Sequence, residues 1–370
     1  MTAAINPAPP GRIEWPDMLR GASALAIVLF HARVAMWVGA RALAADDTYA
    51  WIDRATAWVT LPFPFFGTAV MLFFVVSGFA IHFPYAGRRT DFAWRPYAVR
   101  RLFRIYPPYA VAVLVTVLAE RIVAGAAQAL PSSPARIAAT GAMAQNYVAP
   151  AGQMAGNPSL WSLPVEVELY LIYPLLLWIW RRIGTTAMAS GAALVSVAAT
   201  VVRLTGHDWP TGNFAAYLII WVSGAILAEW LRTDVLPEWR SWHWCVGGVG
   251  CVLALTIRAA GWPTALEPLI WGGLYFLVVL WGLNQSRVVT VLPARLRGTL
   301  LFLGRISYSL YLIHFPLLLV AGALWTATAG HKPISVAWPL LASLVPLPFA
   351  WLLWRYVERP SQALGRAMSA

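Results

Sequence analysis

The stretch RGASALAIVLFHAR, Arg20 to Arg33, runs apolar or small from Gly21 to Phe30 and then sets down an imidazole, His31, followed by a second arginine. A lipid-facing helix accounts for the leucines and alanines and gives no account of the histidine. On an α-helix the eleven residues from Arg20 to His31 rise about 16.5 Å and return to within about 20° of the same face. The two side chains therefore mark one vertical stripe and cannot touch. Arg20 is expected at the membrane boundary, where Asp17 one turn earlier can pair with it, and His31 is expected near the middle of the bilayer. Ionisable groups at that depth are costly, so they face a cavity or a partner rather than lipid.

The rest of the chain belongs to the same solvent. Hydrophobic residues make up 60% of the 370 and charged residues 11%, against about 25% charged in soluble domains. Runs long enough to cross a hydrocarbon core of about 30 Å fall at 18–38, 64–84, 107–124, 160–180, 186–203, 212–231, 243–260, 266–284, 299–322 and 336–355. The fold class expected is all-α, a polytopic membrane helix bundle of about ten transmembrane helices, forming one domain over 1–370 with short tails at 1–17 and 356–370. The connections at 39–63 and 125–159 are the long ones. The second is rich in Ala, Pro, Gly and Ser, and a short or re-entrant helix is expected around 135–146.

The net charge of +12 is explained by topology. Counted on alternate sides, 19 of the 27 Lys and Arg residues fall with the N-terminus, which predicts both termini in the cytoplasm and an attraction to anionic lipid. Nucleic acid is not needed as a partner. Cys245 and Cys251 lie six apart on one expected span, about 9 Å between Cα atoms, too far to bridge, and are expected to be buried small hydrophobes. The sequence holds neither CxxC nor HExxH, so no metal is expected. With no GxxxxGK loop, ATP-driven chemistry is not expected either. The Ala42-Leu43-Ala44 triplet imitates a signal-peptide cleavage site, but Glu14, Asp17, His31 and Arg33 are foreign to such a leader, and the segment is expected to be retained.

Five stretches with polar residues interrupt the apolar runs. His31 is suited to take a proton from a hydroxyl near neutral pH; its bland role would be a hydrogen bond between packed helices. In WSLPVEVELYLIYP, 161 to 174, Glu166 and Glu168 diverge by about 200° on a helix, so at most one faces a shared pocket. In RRLFRIYPPY, 100 to 109, Arg101 and Arg104 lie one turn apart, a fork suited to phosphate or simply topogenic charge. GRISYSLYLIHFP, 304 to 316, carries a second intramembrane histidine, His314, with Ser307 and Tyr308 before it. Ser77 and Gly78 in FFVVSGF are read first as small residues for close packing, since no G-x-S-x-G elbow surrounds the serine.

Together DMLRGASALAIVLFHA, FFVVSGF, RRLFRIYPPY, NPSLWSLPVEVELYLIYPLL, GRISYSLYLIHFPLL and YVERP resemble the acyltransferase 3 family of integral membrane acyltransferases, in family order and over almost the whole chain. The resemblance implies a ten-helix inner (plasma) membrane enzyme that moves an acyl group, expected to be acetyl, from cytoplasmic acyl-CoA to a hydroxyl of a carbohydrate or related acceptor at the outer face. It implies catalytic roles for His31, Glu166 and Arg20. Arg101 and Arg104 would hold the acyl-CoA with Arg20, and Ser77, Tyr308 and His314 would line the substrate pocket. The sequence departs from the family at Pro164, where many members have serine, and at Val167, where many have a second glutamate. The competing class is a proton-coupled transporter or flippase using His31 and Glu166 as a relay, disfavoured by the lack of an internal repeat.

Overall fold

The computed structural model describes residues 13–88, 91–127, 131–148, 153–206, 212–261, 264–285 and 291–369; Arg12, the rest of the expected tail at 1–12 and Ala370 lie outside the described residues. The chain is 81% helical, with no strand among the described residues. The principal helices are α1 (Glu14–Met36), α2 (Ala69–His82), α3 (Trp94–Ala127), α4 (Pro134–Gly141), α5 (Ser162–Leu204), α6 (Leu218–Arg232), α7 (Ser241–Ala259), α8 (Glu267–Asn284), α9 (Ala294–Ala329), α10 (Pro346–Leu353) and α11 (Arg359–Ala367).

Among the described residues nine helices are long and apolar enough to cross a membrane. One of them, Pro158–Leu204, has 47 residues; as a single rod it would measure about 70 Å, more than twice the hydrocarbon core. Gly184, with φ 80° and ψ 175°, breaks it. The left-handed φ suits a residue without Cβ, and α5 is thereby two crossings, 162–183 and 185–204. The expected ten spans are recovered in this way. The last of them differs in detail. It is built from Ala337–Ala342, α10, a π turn at Trp354–Glu358 and α11, so most of the segment expected as a tail from 356 is helical. Pro360 follows the π turn closely and has no N–H with which to continue the backbone ladder there.

One further expectation is corrected. Cys245 and Cys251 are exposed rather than buried, because α7 packs chiefly on α8 at the edge of the bundle and turns most of its surface outward. His31 lies five residues from the C-terminal end of α1 and seventeen from its start, nearer the far end of the helix than its middle.

Helices α1 and α9 run parallel in one register. Glu14 pairs with Arg297 at 2.6 Å, and His31 Nδ1 meets His314 Nε2 at 2.9 Å, each pair separated by 283 residues. Gly21 and Gly304 stand at the same offset between them. A Cβ on Gly21 would come within 2.2 Å of the Leu300 carbonyl, and one on Gly304 within 2.1 Å of the Asp17 carbonyl. The spacing of these positions follows the a and d sites of a heptad, and glycine lets the backbones close in where lipid supplies no hydrophobic drive. A second close crossing joins α2 to α6. There a Cβ on Gly78 or Gly224 would fall 1.8 Å from the Trp221 or Val75 carbonyl.

The connection before α5 re-enters the bundle. Glu120 near the end of α3 accepts hydrogen bonds from Ser132 N, Ser132 Oγ and Gly156 N at 2.8–2.9 Å, clasping the loop at both ends. Between these points α4, opened by Ser133 and Pro134, runs back along α3 until Tyr109 Oη donates to the Thr140 carbonyl at 2.7 Å. From Glu120 to Tyr109 is eleven residues of helix, a descent of about 16 Å. The re-entrant helix expected around 135–146 is thus found at 134–141.

Prolines inside the long helices explain what the loop does there. Pro316 has no N–H to give the Leu312 carbonyl four residues earlier, and Asn157 Nδ2 donates to that carbonyl instead at 2.8 Å. Pro174 likewise releases the Tyr170 carbonyl, which accepts from Tyr97 Oη at 3.0 Å.

Gly21→Ala and Gly304→Ala are expected to lower thermal stability in detergent by the equivalent of about 1–3 kcal/mol, the usual cost of overpacking, whereas Gly191→Ala, helical and with open space around it, does not lower it and raises it by up to about 1 kcal/mol. Asn157→Leu is expected to cost about 1–3 kcal/mol through the unserved carbonyl, read from the same melting curves.

Candidate active site

A cavity opens among α1, α2, α3, α5 and α9, with about 160 Å³ of room for water. Arg20, Arg101, Arg104, Ser77, Glu166 and Tyr308 all line it. Six residues singled out in the sequence are therefore brought to one place. Arg20 lies six residues into α1, and Arg101 and Arg104 seven and ten residues into α3. Since both helices start at the face that also carries Arg181 and Arg182, the cavity belongs to the basic half of the bundle.

Its walls divide by charge. Glu166 Oε1 accepts from Ser77 Oγ at 3.1 Å and from Tyr170 Oη, one turn further along α5. Ser77 Oγ in turn accepts from Trp221 Nε1 at 3.4 Å. A serine committed in both directions is a prop for the carboxylate, not a nucleophile. Arg20 reaches Asp17 at 3.4 Å, the pairing its spacing predicts. The Arg101 guanidinium lies 5.6 Å from the centre of the Tyr97 ring and 5.7 Å from that of Tyr170, and its Nε is buried with no hydrogen-bond partner among the described residues. Arg104 stands within electrostatic reach of Tyr170, Glu358 and Glu166. Three guanidinium groups around one lining carboxylate make a pocket for an anion, and planar forks suit phosphate oxygens.

The two histidines occupy a separate level. His31 and His314 pair with each other and do not belong to the cavity wall, although His314 was expected among the pocket residues. Tyr311 lies between. It lines the cavity, its ring centre stands 5.8 Å from that of His314, and its hydroxyl meets Ser162 Oγ at 2.8 Å and donates to the Ser159 carbonyl at 2.5 Å. From Arg20 the imidazole of His31 is about 16 Å up the same stripe of α1. Phe30 and Phe315 set their rings edgewise against it, at 4.8 and 5.1 Å.

Glu168 proves to be a loop anchor, accepting from Tyr147 Oη at 2.5 Å and from Phe214 N at 2.8 Å. Tyr170 and Glu358 were not picked out from sequence. The i, i+4 spacing from Glu166 could have found Tyr170. Glu358, buried and bound by Ser309 Oγ at 2.6 Å and Gln362 Nε2 at 3.0 Å, lay in a segment expected to be a tail.

A family profile described as an acyltransferase domain matches residues 13–355. Nodulation protein 10 of Rhizobium leguminosarum bv. viciae is similar at 29% identity over 227 residues, and the match spans 58% of this chain and 58% of that protein. No solved structure matches the chain. With a helical bundle fit to cross a membrane and a profile match running from the start of α1 into the π turn, the chain belongs to the acyltransferase 3 family of membrane acyltransferases.

Proposed function

We propose that the protein transfers an acyl group, acetyl in the simplest case, from cytoplasmic acyl-CoA to a hydroxyl of a carbohydrate or related acceptor at the extracytoplasmic face of the inner membrane. The observation that carries this reading is the vertical pairing of an arginine-lined cavity in the basic half of the bundle with a histidine pair one stripe above it. The excess of Lys and Arg on the side of that cavity supports a cytoplasmic orientation for it. CoA phosphates are held by Arg101 and Arg104, with Arg20 on the path of the acyl arm towards His31.

The acceptor oxygen attacks the thioester carbonyl while His31 takes the hydroxyl proton. The C–O bond forms, the C–S bond breaks, and the proton passes from the imidazolium to the departing thiolate, giving ester and free CoA. Glu166, fixed by Ser77 and Tyr170, holds the arginine cluster in place by its charge. A transporter using the same residues would neither transfer nor hydrolyse the acyl group, so labelled acetyl-CoA with purified protein separates the two classes.

Arg101→Ala and Arg104→Ala are expected to raise the apparent KM for acyl-CoA more than they lower kcat, because a phosphate grip acts mainly on the ground state. Lysine at either position restores binding only in part, lacking the bidentate fork. Wild-type acyl-CoA kinetics in a well-folded alanine variant would return that arginine to a topogenic role. His31→Gln is expected to keep normal expression and melting and to lose about 10² to 10⁴ in transfer rate; intact transfer would remove His31 from the mechanism.

A further inference from the structure

From the hydrogen-bond geometry around the two histidines we infer that His314 is a positioning residue, which sets the tautomer of His31 so that its Nε2 carries the lone pair. The inference rests on the proposal that His31 acts as the base.

His314 Nδ1 lies 3.1 Å from the Leu310 carbonyl and 2.8 Å from the Tyr311 carbonyl. Carbonyl oxygens only accept, so Nδ1 must carry the proton. In the neutral ring the lone pair then falls to Nε2, the atom that faces His31 Nδ1 at 2.9 Å. His31 Nδ1 therefore donates, and the basic nitrogen of His31 is left at Nε2. The two carbonyls belong to α9 one turn below His314, so the helix backbone itself writes the protonation state of a residue on another helix. The His31 ring, held between Phe30 and Phe315 and tilted 45° to His314 with centres 5.0 Å apart, has little freedom to flip.

The same arrangement assigns roles during the reaction. When His31 Nε2 takes the acceptor's proton, the ring becomes an imidazolium and its Nδ1–H bond to His314 strengthens. His314 remains neutral, since a second positive ring at this distance is strongly disfavoured. In serine hydrolases a carboxylate orients the base; here a neutral imidazole does so without placing a permanent charge in the bilayer.

The test uses the full-length protein with 15N-labelled histidine in detergent or nanodiscs, where ring 15N shifts report which nitrogen is protonated. Among the six histidines the His31 signals are those lost in His31→Gln. In the wild type His31 is expected as the Nδ1–H form. His314→Leu, with no acceptor, is expected to convert it largely or partly to Nε2–H and to lower kcat about 10- to 100-fold, the usual scale for an orienting partner, with acyl-CoA KM unchanged. His314→Gln, whose amide oxygen can still accept, is expected to restore the tautomer and part of kcat. An Nε2–H form of His31 in the wild type overturns the inference even if His314→Leu fails to fold, as does an unchanged tautomer in folded His314→Leu. The tautomer is read without turnover, so absence of acyl transfer in the wild type would count against the proposed function alone.

Discussion

The register of α1 on α9 is the constraint from which the upper part of the site hangs. Two parallel helices can slide by one residue only by moving about 1.5 Å and rotating their facing side chains by about 100°, and either motion would part His31 from His314. In water a hydrophobic stripe would resist such a slip; between lipid tails it has far less to offer. The register is instead locked by shape, with Gly21 and Gly304 each seated against the other helix's backbone, and by the Glu14–Arg297 ion pair at the basic end. The histidine pair is thus the third point of a fit whose other two points carry no chemistry.

Broken backbone hydrogen bonds supply the second layer of order. A bilayer holds no water to satisfy a carbonyl released by proline, so the partner must come from the protein. Asn157 and Tyr97 fill that need at Leu312 and Tyr170, and in doing so they join the re-entrant loop and α3 to two walls of the cavity. The loop reaches Leu312 because Glu120 clasps it at both ends. An acidic residue near one end of α3 therefore helps hold Asn157, the residue after Gly156, against the wall formed by α9.

What the sequence disclosed follows from where the information lies. Apolar run lengths disclosed the crossings, including the two joined at Gly184, and the convergence of Arg20, Arg101, Arg104, Ser77, Glu166 and Tyr308 followed from the cost of turning polar groups to lipid. The pairing of His31 with His314 was hidden, because it is set by the offset between helices far apart in the chain. Glu358 was hidden by a tail reading, and the lipid-facing cysteines by the assumption that small apolar residues are buried.

The π turn at Trp354–Glu358 is one residue more than an α-helical path would use. Such a turn acts as a phase shift: everything after it is rotated by about 100° relative to an uninterrupted helix. With the shift in place, Glu358 turns inward to Ser309 and Gly365 lies against Phe103 on α3. Deleting one residue from this turn would keep the helix, its length and nearly all its composition, yet swing the whole terminal segment out of phase and take the carboxylate from behind Arg104. The last helix is therefore sensitive to the count of its residues as much as to their identity.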